Sequence, residues 1–182
     1  MAITLVLGGA RSGKSAFAEN LAHASALPVT YIATGLAGDA ELSARILHHR
    51  ARRPAHWRTV EAPLALADAL QAHAAVDGCV LVDCLTLWLT NLLFHQRKEF
   101  PDADRIDPGP QFTRQLERMI EVLPCLPGNI IVVSNEIGFG VTPMGAVTRF
   151  FVDEAGRLNQ RAAALAQHVR LIVAGYPVNV KG

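Results

Sequence analysis

Leu5-Val6-Leu7-Gly8-Gly9-Ala10-Arg11-Ser12-Gly13-Lys14-Ser15 is the stretch on which the fold turns. The aliphatic run Ile3–Leu7 reads as a strand, and Ser15–Ala24 reads as the helix that follows. Between them, Gly8 to Ser15 matches GxxxxGK[ST] without a gap. At ordinary residue usage the odds of a chance match in a chain this long are below about 1%. Glycines let backbone N–H groups turn inward around phosphate oxygens, and the helix N-terminus adds partial positive charge. Lys14 then reaches the β- and γ-phosphates as a point charge, and the Ser15 hydroxyl is the expected Mg²⁺ ligand. The motif predicts that Gly8, Gly9, Ala10, Arg11, Ser12, Gly13, Lys14 and Ser15 hold a nucleoside triphosphate.

Outward from this loop, Val80–Val82, Ile130–Val133 and Val169–Ala174 are further short apolar runs, with Val29–Ala33 a weaker one. Near-continuous apolar strands suit a parallel sheet covered on both faces. Helical patterns fall between them at Leu64–Ala75, Leu85–His95, Gln111–Leu123 and Val147–Gln167. In the last, Val147, Phe150, Phe151, Leu158 and Leu165 form a core-facing stripe. Strands alternating with helices predict an α/β domain, a mainly parallel sheet flanked by helices with right-handed crossovers. Tyr176–Lys181 alternates after a proline turn and is a candidate antiparallel C-terminal edge strand. Residues 98–110, KEFPDADRIDPGP, read as an irregular surface loop rather than a domain boundary.

The chain has 182 residues, so one domain spanning 1–182 is expected. With 51% hydrophobic and 18% charged residues, it cannot be a disordered chain. Seventeen Lys+Arg against sixteen Asp+Glu leave a net charge of +1, which gives no footprint for nucleic acid or a membrane surface. No segment approaches the ~18 apolar residues of a membrane span. The N-terminus lacks the basic start of a secretory or transit peptide. Cys79, Cys84 and Cys125 cannot all pair and make no CxxC, so they read as buried free thiols in a reducing cytoplasm.

Two acids are placed to serve the nucleotide. Cys79-Val80-Leu81-Val82 ends in Asp83, the pattern of a carboxylate that holds Mg²⁺ directly or through water, or else of a helix cap. Glu136 follows Ile130–Val133 through Ser134-Asn135 and emerges at the same edge, as a catalytic acid or a plain loop acid. A third feature is Arg45-Ile46-Leu47-His48-His49-Arg50-Ala51-Arg52-Arg53-Pro54. A helix over residues 40–52 puts Arg45, His48, His49 and Arg52 on one face, and Pro54 biases Arg53 out of it. Such a cluster is either a solvated basic helix end or a phosphate-binding face. Neighbouring cations disfavour imidazolium, and a neutral histidine is a nucleophile toward phosphorus. Adjacent histidines lack the i,i+4 spacing of a zinc site. Chemistry alone does not separate His48 from His49.

Six stretches together carry a family resemblance: GGARSGKS (8–15), Tyr31-Ile32-Ala33-Thr34, RILHHRARRPAHWRTVE (45–61), VLVDCLTLWLTNLLF (80–94), VSNEIGFGVTP (133–143) and AGRLNQRAAALA (155–166). The chain resembles, nearly end to end, the bifunctional adenosylcobinamide kinase/adenosylcobinamide-phosphate guanylyltransferases of cobalamin biosynthesis. Only residues 98–110 lack an obvious match. The resemblance implies phosphorylation of the adenosylcobinamide hydroxyl with ATP or GTP. It further implies transfer of GMP from GTP through a histidine, giving pyrophosphate and adenosylcobinamide-GDP. It places the guanylylated histidine on His48, and guanine-nucleotide contacts on Ala33, Thr34, Gly35, Arg50, Ala51, Arg52, Arg53, Glu61 and Asp83. Some members carry Glu where Asp83 stands; the shorter side chain suits contact with Mg²⁺ through water. The implied fold is a RecA-like P-loop domain, and the implied assembly a homotrimer. Two other functions fit the loop itself: a kinase of another small alcohol, or a nucleotide-switch ATPase acting with a protein partner.

Overall fold

The computed structural model describes residues 2–36, 54–95, 100 and 106–182. Seven strands form one sheet: β1 (Ala2–Gly8), β2 (Val29–Ala33), β3 (Arg58–Glu61), β4 (Cys79–Asp83), β5 (Asn129–Asn135), β6 (His168–Val173) and β7 (Tyr176–Lys181). Their spatial order is β3-β2-β4-β5-β1-β6-β7. All neighbours are parallel except β6 and β7, which pair antiparallel. Among the described residues, five helices join them: α1 (Lys14–Ala24), α2 (Leu66–His73), α3 (Leu85–Phe94), α4 (Pro110–Val122) and α5 (Ala146–Leu165).

Period-2 alternation of the strands builds two hydrophobic layers. Ile3, Leu5, Val80, Val82, Ile130 and Val132 face one side, where they meet Leu66 and Leu70 of α2, Trp88 and Leu89 of α3, Phe112 and Met119 of α4, and Leu158 of α5. Val6, Leu81, Ile131 and Val133 face the other side and pack on Ala18 and Ala22 of α1 and on Trp57. The two alanines of α1 let that helix sit close to the sheet directly behind the phosphate-binding loop. Trp88 is fully buried, and its indole N–H donates to the Leu64 carbonyl at 2.9 Å. Trp88→Ala should therefore destabilise the protein by about 3–5 kcal/mol, read from urea unfolding. Trp88→Phe should cost less, about 1–3 kcal/mol, since it mainly strands the Leu64 carbonyl.

Each strand and helix expected inside the described residues is present, with ends moved by a residue or two. Four features differ. β3 has no apolar run: Arg58, Thr59 and Glu61 are exposed, and backbone pairing with β2 alone makes this edge strand. The turn before β7 is Ala174-Gly175 rather than a proline turn. Both residues have positive φ, 51° and 87°, the two-residue type I′ geometry of a hairpin, and Pro177 lies within the edge strand. α2 spans eight residues, because Ala74 is extended and Leu64 precedes the helix. Cys79 and Cys84 are buried free thiols, but Cys125 is exposed, carried to the surface by the 3₁₀ turn Leu123–Cys125. Of residues 98–110, Ile106–Gly109 are irregular and Pro110 opens α4; residues 98, 99 and 101–105 lie outside the described residues. Among the described residues, no helix is long and apolar enough to cross a membrane.

Candidate functional site

Strand register gathers the expected site at one edge of the sheet. Gly8 lies opposite Asn135, Asp83 opposite both Ala33 and Val133, and Glu61 opposite Ala33. The phosphate-binding loop, Ala33-Thr34-Gly35, Glu61, Asp83 and Glu136 thus all leave at the carboxyl ends of parallel strands, where open α/β sheets bind ligands. His48, Arg50, Ala51, Arg52 and Arg53, with Arg45 and His49, lie outside the described residues.

The loop is shaped by close approach. A Cβ on Gly8 would collide with the Ser12 side chain and lie 2.9 Å from the Ile172 carbonyl, so only glycine fits there. Ser12 N–H donates to the Gly9 carbonyl at 3.2 Å, and the Phe17 amide to the Gly13 carbonyl at 3.0 Å, starting α1. The Lys14 ammonium reaches back across the loop to the Gly9 carbonyl at 3.1 Å. From below, the β6–β7 hairpin props the loop: Gly175 N–H donates to the Ser12 carbonyl at 2.8 Å. Gly13 has φ +94°, and a Cβ there would sit 3.2 Å from Gly175 Cα. Gly13→Ala should cost about 1–2 kcal/mol in the loop and weaken nucleotide affinity about tenfold, read from GTP titrations against an intact far-ultraviolet spectrum.

Asp83 is held from β2: Tyr31 O–H donates to its Oδ2 at 2.8 Å. Thr34 is a strut. Its hydroxyl donates to the Cys84 carbonyl at 2.7 Å and accepts from the Cys84 amide at 2.8 Å, while Asn91 Nδ2 donates to the Thr34 carbonyl at 2.6 Å. Strand register sets Asp83 and the start of the loop on either side of β5, with Gly8 opposite Asn135 and Asp83 opposite Val133. Burial above all, then the Asp83 carboxylate, pushes the Cys84 thiol up to about 12, so it stays neutral and is no rival nucleophile.

Glu136 is anchored through its neighbour. Thr86 Oγ1 accepts from the Asn135 amide at 2.8 Å, Asn159 Nδ2 donates to the Asn135 carbonyl at 3.0 Å, and the Glu136 amide donates to the Gly8 carbonyl at 3.0 Å. α3 and α5 together fix the peptide from which Glu136 projects.

The CobU family, described as cobinamide kinase / cobinamide phosphate guanyltransferase, matches residues 4–180. The chain belongs to this family. It is 53% identical over 178 residues to the bifunctional adenosylcobalamin biosynthesis protein CobP of Pseudomonas aeruginosa, covering 98% of this chain and 96% of that one. It is 42% identical to the bifunctional adenosylcobalamin biosynthesis protein CobU of Salmonella typhimurium, covering 97% and 98%. Among solved structures, a type III secretion ATPase of pathogenic bacteria aligns with TM-score 0.53 at 12% identity, over 93% of this chain and 50% of that one. EscN of enteropathogenic E. coli aligns with TM-score 0.50 at 11% identity, over 95% and 43%. The chain spans about half the length of these ATPases or less, and the likeness is one of fold: a RecA-like P-loop domain.

Several site residues escaped the sequence reading. Tyr31 carried no chemical signal beyond its place in the family stretch. Thr86 and Asn159 interrupt apolar helix faces, and a polar residue on a buried stripe is the signal that marks such clamps. The hairpin prop under Ser12 has only Ala174-Gly175 to announce it.

Proposed function

We propose that the protein phosphorylates adenosylcobinamide with ATP or GTP, then moves GMP from GTP through His48 onto that phosphate. The supporting observation is a family match over residues 4–180 in a chain whose glycine-rich loop and Asp83 leave the same edge of the sheet on either side of β5.

In the kinase step, the Gly8–Ser15 amides and Lys14 hold the β- and γ-phosphates, and Lys14 exchanges its bond to the Gly9 carbonyl for phosphate oxygens. Asp83 or Glu136 orients the acceptor hydroxyl. In the transfer step, His48 attacks the α-phosphorus in line and pyrophosphate leaves. A phosphate oxygen of the corrinoid then attacks the same phosphorus, the P–N bond breaks, and neutral His48 returns. Ala33, Thr34, Gly35, Arg50, Ala51, Arg52, Arg53 and Glu61 contact the guanine nucleotide. Ser15 and Asp83 offer a hydroxyl and a carboxylate, oxygen donors that suit Mg²⁺ alongside phosphates and water, and Tyr31 already fixes the carboxylate. When bound there, Mg²⁺ supplies neutralisation of phosphate charge. Trimeric assembly and a cytoplasmic location belong to the same reading.

Incubation with [α-³²P]GTP, followed by adenosylcobinamide with ATP, tests it. Acid-labile label on the chain and a guanylylated corrinoid are expected; an unlabelled chain that still phosphorylates the corrinoid would remove the transferase half. Binding should also show in stability: GTP·Mg²⁺ at a hundredfold excess over Kd should stabilise the fold by about 2.7 kcal/mol, visible as a raised Tm.

A further inference from the structure

The segment after Glu136, Ile137-Gly138-Phe139-Gly140-Val141-Thr142-Pro143-Met144-Gly145, has no charged residue; Ile137 is half-buried against the core, and the large side chains beyond it face solvent. Phe139 is 83% exposed, Val141 94% and Met144 95%. Three large apolar side chains held outward in nine residues form a patch of the kind that marks a contact surface.

Its position identifies what it meets. The segment starts two residues past Asn135, whose peptide is clamped by Thr86 and Asn159, and the intervening Glu136 amide is bonded to the Gly8 carbonyl at the start of the glycine-rich loop. Glu136 Oε1 accepts from the Gly138 amide at 2.7 Å, which folds the first turn. At the far end, Arg149 of α5 donates to the Pro143 and Met144 carbonyls. Both ends are therefore tied down, and the root is continuous with the strand edge that carries the cradle. The root of the segment is thus bonded to the first residue of the glycine-rich loop.

We propose that residues 137–145 seat the corrin ring of the acceptor, with Phe139, Val141 and Met144 against its methyl-bearing edge while its alcohol arm extends past Glu136 to the phosphates. This rests on the activity proposed above and names the surface that serves it. A corrinoid is too bulky to enter the sheet edge, so its ring must lie on an open lip, and an uncharged apolar lip suits a ring rimmed by methyl groups and neutral amides. A phosphate-bearing partner would call for cations here, and Arg149, which touches the segment, is turned onto the loop's own carbonyls.

The test is equilibrium dialysis of cobinamide against the full chain with GTP·Mg²⁺ present, in wild type and in Phe139→Ser/Val141→Ser/Met144→Ser. The triple variant should lose at least tenfold in cobinamide affinity and raise the corrinoid KM, with an unchanged Tm shift from GTP. Phe139→Leu, which keeps an apolar side chain, should retain most of the affinity. Unchanged cobinamide binding in the triple variant overturns the seat while leaving the activity intact. A fall in sedimenting mass, with cobinamide affinity per chain preserved, would assign the patch to a second copy and also overturn it. Wild-type protein that neither binds nor phosphorylates adenosylcobinamide would remove the activity itself.

Discussion

Lys14→Ala should lower corrinoid phosphorylation and guanylyl transfer together, each by at least ~100-fold, the scale of losing one strong electrostatic contact to a transition state. Lys14 is the cation aimed into the loop: its ammonium lies on the Gly9 carbonyl at 3.1 Å and acts on the Cys84 thiol beside Asp83. On the proposed reading, each reaction breaks a phosphoanhydride bond of a nucleoside triphosphate seated in this loop, and each builds negative charge on phosphate oxygens. A residue serving one acceptor would separate the two activities, whereas a residue serving the phosphate chain cannot. The bond to Gly9 is exposed, so the unliganded variant should melt within about 1 kcal/mol of wild type. Assays of both half-reactions with melts alongside check this. Near-normal kinase turnover in Lys14→Ala would show that the loop is not the catalytic cradle.

The elements readable from sequence are those whose side chains alone determine their place. β1, β4 and β5 are buried on both faces, so Ile3–Leu7, Val80–Val82 and Ile130–Val133 had to be apolar at nearly every position. α5 announced itself by a stripe ending at Leu165, where the helix stops. β3 is opposite in kind. Arg58-Thr59-Val60-Glu61 is made a strand by hydrogen bonds to β2, and backbone pairing leaves no mark on an exposed four-residue edge. The antiparallel edge of β7 was legible from alternation, but its turn was not, because Ala174 takes a positive φ that its residue type does not advertise.

The site divides along the same line. GxxxxGK[ST] could be read because Gly8 and Gly13 are demanded by backbone geometry and Lys14 by charge, each tied to one residue type. The place of Asp83 at the sheet edge could be read, because an acid that closes an apolar run marks the strand's carboxyl end. The supports could not: Tyr31 on Asp83, Thr34 on Cys84, and Thr86 and Asn159 on Asn135 join positions 24 to 52 residues apart. Such pairs exist only once the strands have been placed in register. They also locate the design: a glycine-rich loop with little stiffness of its own is held by a hairpin below, β5 beside it, and helices that fix the neighbouring acid.

His48→Ala should abolish the protein–GMP adduct and guanylyl transfer, yet leave corrinoid phosphorylation within roughly tenfold of wild type. Phosphoryl transfer to a hydroxyl needs the cradle, Mg²⁺ and an oriented acceptor, and none of these requires a histidine nucleophile. GMP transfer through the chain has no substitute for the P–N bond, so removing the imidazole removes the route rather than slowing it. His49→Ala should cost much less, because the family resemblance places the nucleophile on the first of the pair. Adduct formation should also fall as pH drops and the imidazole protonates, since only the neutral ring has a lone pair to donate. Mass spectrometry of each variant after GTP, with separate assays of the two corrinoid products, gives the outcome. An adduct that persists in His48→Ala and vanishes in His49→Ala would move the nucleophile to His49. Loss of both activities in a folded His48→Ala protein would mean that the histidine also serves the phosphoryl transfer.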